Sequence, residues 1–197
     1  IIRKYPNLFS GLGNLKNYEY RIELKEGAEP YAIGIPRRIP LPLMKDVQRE
    51  INKMVNDNVI EKVEGPTDWC APMVIAHKKN GKVRICADLT ELNRHVKREK
   101  FQLPSVEETL AKLQDAKIFS KLDFSSGFWQ MSLDTETRKY TTFITPFGRY
   151  VYKRIPFGIT SAPEVFQKVL YNIITEVNSD QVQLHMDDIL VTGRTMS

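Results

Sequence analysis

The fold is decided by Val182-Gln-Leu-His-Met-Asp-Asp-Ile-Leu-Val191. Two apolar runs, Val182–Leu184 and Ile189–Val191, flank Asp187-Asp188, and aspartate satisfies turn backbone groups with its own side chain. The pattern predicts a β-hairpin with two carboxylates at its tip. Toward the N-terminus, Ser161-Ala-Pro-Glu164 reads as a capping box with proline in the tolerated first turn. It opens a helix whose stripe Phe166, Val169, Leu170, Ile173, Ile174 and Val177 is explained by core packing. A second hairpin is predicted between Thr141–Thr145 and Tyr150–Arg154, turning at Pro146-Phe147-Gly148. Ile118–Phe124 reads as a buried strand that reaches its aspartate at Asp123.

Further outward, Ser105-Val-Glu-Glu108 is another capping box, predicting a helix with Val106, Leu110 and Leu113 inward. Asn80-Gly81 stands between the apolar-rich runs Cys70–Ile75 and Lys82–Ala87, the signature of a hairpin closed by a type I′ turn. After Pro42 an amphipathic stripe of Leu43, Val47, Ile51, Met54 and Val55 predicts a helix of about four turns ending near Asp57-Asn58. Residues 1–42, punctuated by Pro6, Pro30, Pro36, Pro40 and Pro42, read as an extended leader, with Tyr18–Ile22 as a piece of edge strand. Helices interleave with several antiparallel hairpins, which predicts an α+β fold rather than a doubly wound one.

The chain has 197 residues and a formal net charge of +5, a length that suits one domain or one with an appendage. Two cysteines, Cys70 and Cys86, make no disulfide framework and no zinc spacing, so a reducing, intracellular setting is expected. No apolar run approaches the ~20 residues of a membrane span. The chain opens at Ile1 rather than Met, which reads as a piece of something larger. Residues 1–100 carry 19 basic and 13 acidic side chains, against 10 and 11 in residues 101–197. Eight of the basic residues fall between His77 and Lys100. Such a segment suits phosphate or nucleic acid, although charge alone equally describes a solvated face.

The carboxylates carry the chemistry. An Asp-Asp turn by itself is an ordinary surface turn. If the Ile118–Phe124 strand lies beside the aspartate hairpin, three carboxylates converge, and a divalent cation offsets their repulsion. Hard oxygen ligands without His or Cys favour Mg²⁺, which takes substrate phosphates as further ligands. Two such ions would stabilise the attacking and leaving oxygens of an in-line phosphoryl displacement.

Four strings point to one family: Val83-Arg-Ile-Cys-Ala-Asp-Leu-Thr-Glu-Leu-Asn93, Phe119-Ser-Lys-Leu-Asp-Phe-Ser-Ser-Gly-Phe-Trp-Gln130, Ile155-Pro-Phe-Gly-Ile-Thr-Ser-Ala-Pro163 and His185-Met-Asp-Asp-Ile-Leu-Val191. In this order and spacing they resemble the fingers and palm of a reverse transcriptase from gypsy-type LTR retrotransposons. The resemblance implies an antiparallel palm sheet packed on helices and a fingers subdomain bearing a β-hairpin. It implies fingers-like segments at 43–98 and 131–161 and palm-like segments at 99–130 and 162–197. The leader, 1–42, would lie on them, and thumb, connection and RNase H regions are expected to be missing.

The activity implied is RNA-directed DNA polymerisation: a primer 3′-hydroxyl attacks the α-phosphate of a dNTP on an RNA or DNA template. Asp123, Asp187 and Asp188 would be catalytic and hold two Mg²⁺ ions, Mn²⁺ substituting, with the Phe124 carbonyl as an added ligand. Lys78, Arg84, Phe128, Phe157 and Gly158 match dNTP-binding positions, Phe128 being the ring that excludes a ribose 2′-hydroxyl. His185, Met186 and Gln167 would lie near primer or template. His185 stands where the family's box usually has Tyr, which implies pH sensitivity near neutrality. The partners implied are template with primer, dNTPs and the remaining regions of a pol polyprotein, in the cytoplasm or a virus-like particle, with weak or no synthesis by the isolated fragment. Two other readings stay open: a domesticated or inactive nucleic-acid-binding module, and another two-metal enzyme such as a nuclease.

Overall fold

In the computed structural model, residues 2–77, 81–101, 113, 116–177, 181–185 and 188–195 are described. The chain divides into a first unit, Ile1–Lys97 with Phe128–Thr160, and a second, Arg98–Gly127 with Ser161–Ser197.

The first unit is built on a five-stranded sheet. Its strands are β2 (Ile60–Val63), β3 (Ala71–His77), β4 (Val83–Ala87), β7 (Phe143–Thr145) and β8 (Gly148–Tyr152), in the order β2-β8-β7-β3-β4. The two predicted hairpins supply four of its strands, β3 pairing antiparallel with β4 and β7 with β8, and β2 pairs antiparallel with the outer side of β8. The hairpins join through a parallel pairing of β3 with β7, Ala71 opposite Phe143, that no local pattern announces. The turn at Asn80 falls on residues 78–80, outside the described residues; Gly81 beyond it has φ 77°. In the β7–β8 turn the Thr145 hydroxyl accepts from the Phe147 N–H at 3.0 Å and donates to the Gly148 carbonyl at 2.9 Å. Thr141 lies in a 3-10 turn before β7, not in the strand as predicted.

Helix α1 (Met44–Asn56) lays Val47, Ile51 and Met54 against this sheet, whereas Val55 is 40% exposed and falls off the predicted stripe. Its C-terminus is a Schellman motif. Asn58 takes φ 56°, its N–H donates to Val55 O, and the Val59 N–H reaches Met54 O. That satisfies carbonyls the helix would otherwise leave open. A short helix, α2 (Thr90–His95), follows β4 and was not legible in the periodicity.

The leader is stitched along the first unit. Its strand β1 (Glu19–Tyr20) runs parallel to β6 (Ser132–Leu133), so Tyr18–Ile22 contributes an edge strand as expected. Arg154, 8% exposed, donates to the Asn14 carboxamide oxygen. The Ile22 N–H donates to the Thr137 hydroxyl, and Ile33 N–H to Cys70 O. Burial raises the pKa of both thiols, Cys70 and Cys86, which keeps them protonated and inert.

The second unit holds a three-stranded antiparallel sheet of β5 (Ile118–Asp123), β9 (Val182–His185) and β10 (Asp188–Gly193), ordered β5-β10-β9. The aspartate hairpin forms as predicted, but Asp188 is the first residue of β10 rather than a turn residue. β5 corrects a second expectation. It is an edge strand, and Phe119 and Leu122 are 53% and 44% exposed rather than buried.

Helix α3 (Ala162–Val177) buries Val165, Phe166 and Leu170, but its stripe fails toward the C-terminus, where Ile173 is exposed. The capping box at its start is diverted. The Ser161 hydroxyl accepts from the Glu99 N–H, and one Glu164 oxygen takes both Nε and Nη2 of Arg98. The predicted helix from Ser105, with Val106 and Leu110, lies outside the described residues, which retain only its Leu113.

Candidate active site

β5 and β10 set the central geometry. Their antiparallel register places Asp123 directly opposite Asp188, with Leu122 opposite Ile189 and Lys121 opposite Leu190. Side chains two apart on a strand share a face, so Lys121 stands beside Asp123 and diagonal to Asp188. Like charges facing each other across a ladder are destabilising. Here a cation answers them: Lys121 Nζ lies 2.7 Å from Asp188 Oδ2. Hydrogen bonding and charge from Asp188, with a smaller contribution from Asp123, raise the Lys121 pKa. The donor set is hard carboxylate oxygen on one face of one sheet, which suits a hard divalent cation.

Phe124 follows Asp123, and its ring meets Phe166 of α3 edge-on, with centroids 5.5 Å apart at 89°. That contact anchors the residue whose carbonyl was expected as a ligand. Asp187 and Met186 lie outside the described residues. Among the described residues no group of three His, Cys, Asp or Glu is placed for a metal. His185 ends β9, its backbone opposite Asp188. Gln167, expected near template or pocket, is 0% exposed, so it presents no surface to either. Its interior place on α3 was not legible because a polar residue reads as outward-facing.

In the first unit four predicted residues come together. Arg84 projects from β4 with its guanidinium carbon 5.1 Å from the centre of the Phe157 ring. Phe157 lies 5.3 Å from Phe128 and 5.4 Å from Trp129, centroid to centroid. Phe128 and Trp129 sit in a 3-10 turn over Gly127–Gln130. Gly158 has φ 104°, a conformation that favours glycine. A cation over an aromatic face, held by flanking rings, keeps a guanidinium exposed yet placed. Lys78, on the other arm of the hairpin, lies outside the described residues.

Sequence reasoning missed Asn93. Its carboxamide bonds the backbone just after Phe157, at Gly158 O and Thr160 N–H, and only its place in a matched string could have drawn attention to it.

The second unit pairs two aspartates across adjacent strands, and the first carries an exposed arginine on its β3–β4 hairpin. The chain belongs to the reverse transcriptase (RNA-dependent DNA polymerase) family, whose sequence profile matches residues 76–197. It is 31% identical over 182 residues to the retrovirus-related Pol polyprotein from transposon 412 of Drosophila melanogaster, covering 89% of this chain and 14% of that protein. It is 32% identical over 185 residues to the transposon Tf2-3 polyprotein of Schizosaccharomyces pombe, covering 93% and 14%. The chain thus spans about one seventh of the length of these relatives, which are transposon polyproteins as the resemblance implied.

Among solved structures it is similar to the foamy viral protease-reverse transcriptase in complex with double-stranded DNA. The TM-score is 0.84 at 21% identity, over 98% of this chain and 34% of that one. The same viral protein with an RNA/DNA hybrid gives a TM-score of 0.80 at 18% identity, over 98% and 26%. These likenesses establish the α+β reverse transcriptase fold. Family membership implies dependence on divalent metal in general.

Proposed function

We propose that this chain is the fingers and palm of an RNA-directed DNA polymerase that adds dNTPs to a primer 3′-hydroxyl on an RNA or DNA template. In this reading the second unit is the palm, and the first supplies the fingers with the leader laid on them. The observation that carries it is the cross-strand pair of Asp123 and Asp188, two carboxylates held face to face with Lys121 as their cation. Asp123, Asp187 and Asp188, with the Phe124 carbonyl, would hold two Mg²⁺ ions, and Mn²⁺ would substitute. When bound, those ions would neutralise phosphate charge and lower the pKa of the attacking hydroxyl.

The chain's own residues do the rest. Arg84, a planar multi-donor fork, grips the triphosphate together with the mobile ammonium of Lys78. Phe128, braced by Phe157, sets a rigid ring against C2′ and so prefers deoxyribose. The primer oxygen forms a bond to the α-phosphorus as the bond to the pyrophosphate oxygen breaks, and the hydroxyl proton is lost to solvent. The parent polyprotein's remaining regions would complete the grip on nucleic acid, in an intracellular, reducing setting that suits two free thiols.

The test is primer extension by the polymerase carrying its natural C-terminal continuation. Asp123→Asn or Asp187→Asn is expected to abolish extension while nucleic-acid binding survives. Extension at the wild-type rate in either variant overturns the assignment.

A further inference from the structure

The loop that carries Phe157 and Gly158 has no strand or helix of its own. The last sheet-like bond before it is Ile155 N–H to Met131 O, and α3 belongs to the other unit. Besides the buried Ile159 and the packed Phe157 ring, a side chain ties the loop's backbone. Asn93 Nδ2 donates to Gly158 O at 2.7 Å, and Asn93 Oδ1 accepts from the Thr160 N–H at 3.0 Å. The two partners fix the carboxamide orientation, because a carbonyl takes only the amide N–H and a backbone N–H gives only to the oxygen. No other side chain of similar size offers one donor and one acceptor at that fork. Aspartate keeps the bond from Thr160 but sets a carboxylate oxygen against Gly158 O.

Asn93 is itself well placed. It sits on α2, which is anchored by buried Leu92. At the start of that helix the Thr90 hydroxyl donates to Asp88 at 2.7 Å, and Arg37 holds the other Asp88 oxygen at 2.8 Å. The segment that ends in Asn93 begins with β4, the strand that carries Arg84. One continuous piece of chain, 83–95, therefore reaches Phe157 twice: Arg84 lies over its ring, and Asn93 grips the backbone just beyond it. The ring so placed braces Phe128 at 5.3 Å.

We propose that Asn93 is a positioning residue for the nucleotide pocket. It fixes Phe157, and through Phe157 both the Arg84 guanidinium and the Phe128 ring that reads the sugar. This rests on the polymerase reading above. Losing the clamp is expected to loosen triphosphate grip and sugar discrimination together, without weakening template–primer binding.

The experiment uses the polymerase with its natural C-terminal continuation and compares wild type, Asn93→Ala, Asn93→Asp and Asp123→Asn. In Asn93→Ala the KM for dNTP is expected to rise about tenfold. The preference for dNTP over rNTP is expected to fall several-fold, with kcat and the template–primer Kd changed less than about threefold. Asn93→Asp, which keeps the size and the Thr160 bond, is expected to show the same split and serves if the alanine variant does not fold. Hydrogen exchange in the wild type is expected to show Thr160 protected, an effect unrelated to turnover. Active wild type, inactive Asp123→Asn and unchanged dNTP KM and sugar preference in both Asn93 variants overturns the positioning role alone. So does an unprotected Thr160 amide in the wild type. Wild type that incorporates no dNTP overturns the polymerase reading and this inference with it.

Discussion

Phe143 on β7, the central strand of the five-stranded sheet, is wholly buried, whereas Phe119 on β5, at the edge of the three-stranded sheet, is 53% exposed. The same contrast holds for charge. In the first unit Asp88 is satisfied by Thr90 and Arg37. In the second, Asp123 and Asp188 face each other with one exposed lysine between them and water. The first sheet is a packed frame, and its candidate site residues are brackets on it. The second sets like charges opposite each other and answers them with a single exposed ammonium.

Four substitutions break or sharpen that contrast. Phe143→Ala is expected to cost about 3–5 kcal/mol in guanidinium unfolding, whereas Phe119→Ala should stay within about 0.5 kcal/mol. Equal costs would dissolve the distinction between the sheets. Asn58→Ala, forced to keep φ 56° at the end of α1, is expected to lose about 1–2 kcal/mol, and Asn58→Gly to recover the backbone part of that loss.

Asp88 supplies a pH test. The Thr90 hydroxyl first, and Arg37 after it, hold its pKa below the usual 3.8. A depressed carboxyl pKa contributes stability above 3.8 that fades as pH falls through the folded value. Wild type and Asp88→Asn are therefore expected to differ at neutral pH, by under about 1 kcal/mol for so exposed a pair. Their acid-unfolding curves should converge at low pH.

The smallest effect has the most telling sign. Without divalent cation, Asp123→Asn is expected to raise stability by a few tenths of a kcal/mol, since it removes one of two opposed charges. Added Mg²⁺ should then stabilise the wild type more than the variant, as a thermal scan with and without the ion would show.

The antiparallel pairings β3–β4, β7–β8 and β9–β10 were legible because apolar runs on either side of turn-forming residues are a local pattern. The proximity of β5 to the aspartate hairpin was only a condition in the sequence, and the β5–β10 register supplies it. The parallel joins, β3 with β7 and β1 with β6, were not legible, since nothing in a strand's own residues names a distant parallel partner. Ser161 and Glu164 misled for a related reason: a capping box is satisfied locally unless a nearer donor arrives, and Arg98 and Glu99 do. Gln167 and Asn93 failed in opposite directions, one polar side chain buried and one short amide working on backbone. Type and periodicity carry neither fact.

Strand β5 has a consequence for handling the protein. Among the described residues only β10 pairs with it, so its other edge offers a row of backbone donors and acceptors with Phe119 and Leu122 exposed alongside. Such an edge is a template for a second chain. Lys121 and Asp123 put charge on that edge, and their neutralisation together is expected to turn the chain toward strand-by-strand aggregation.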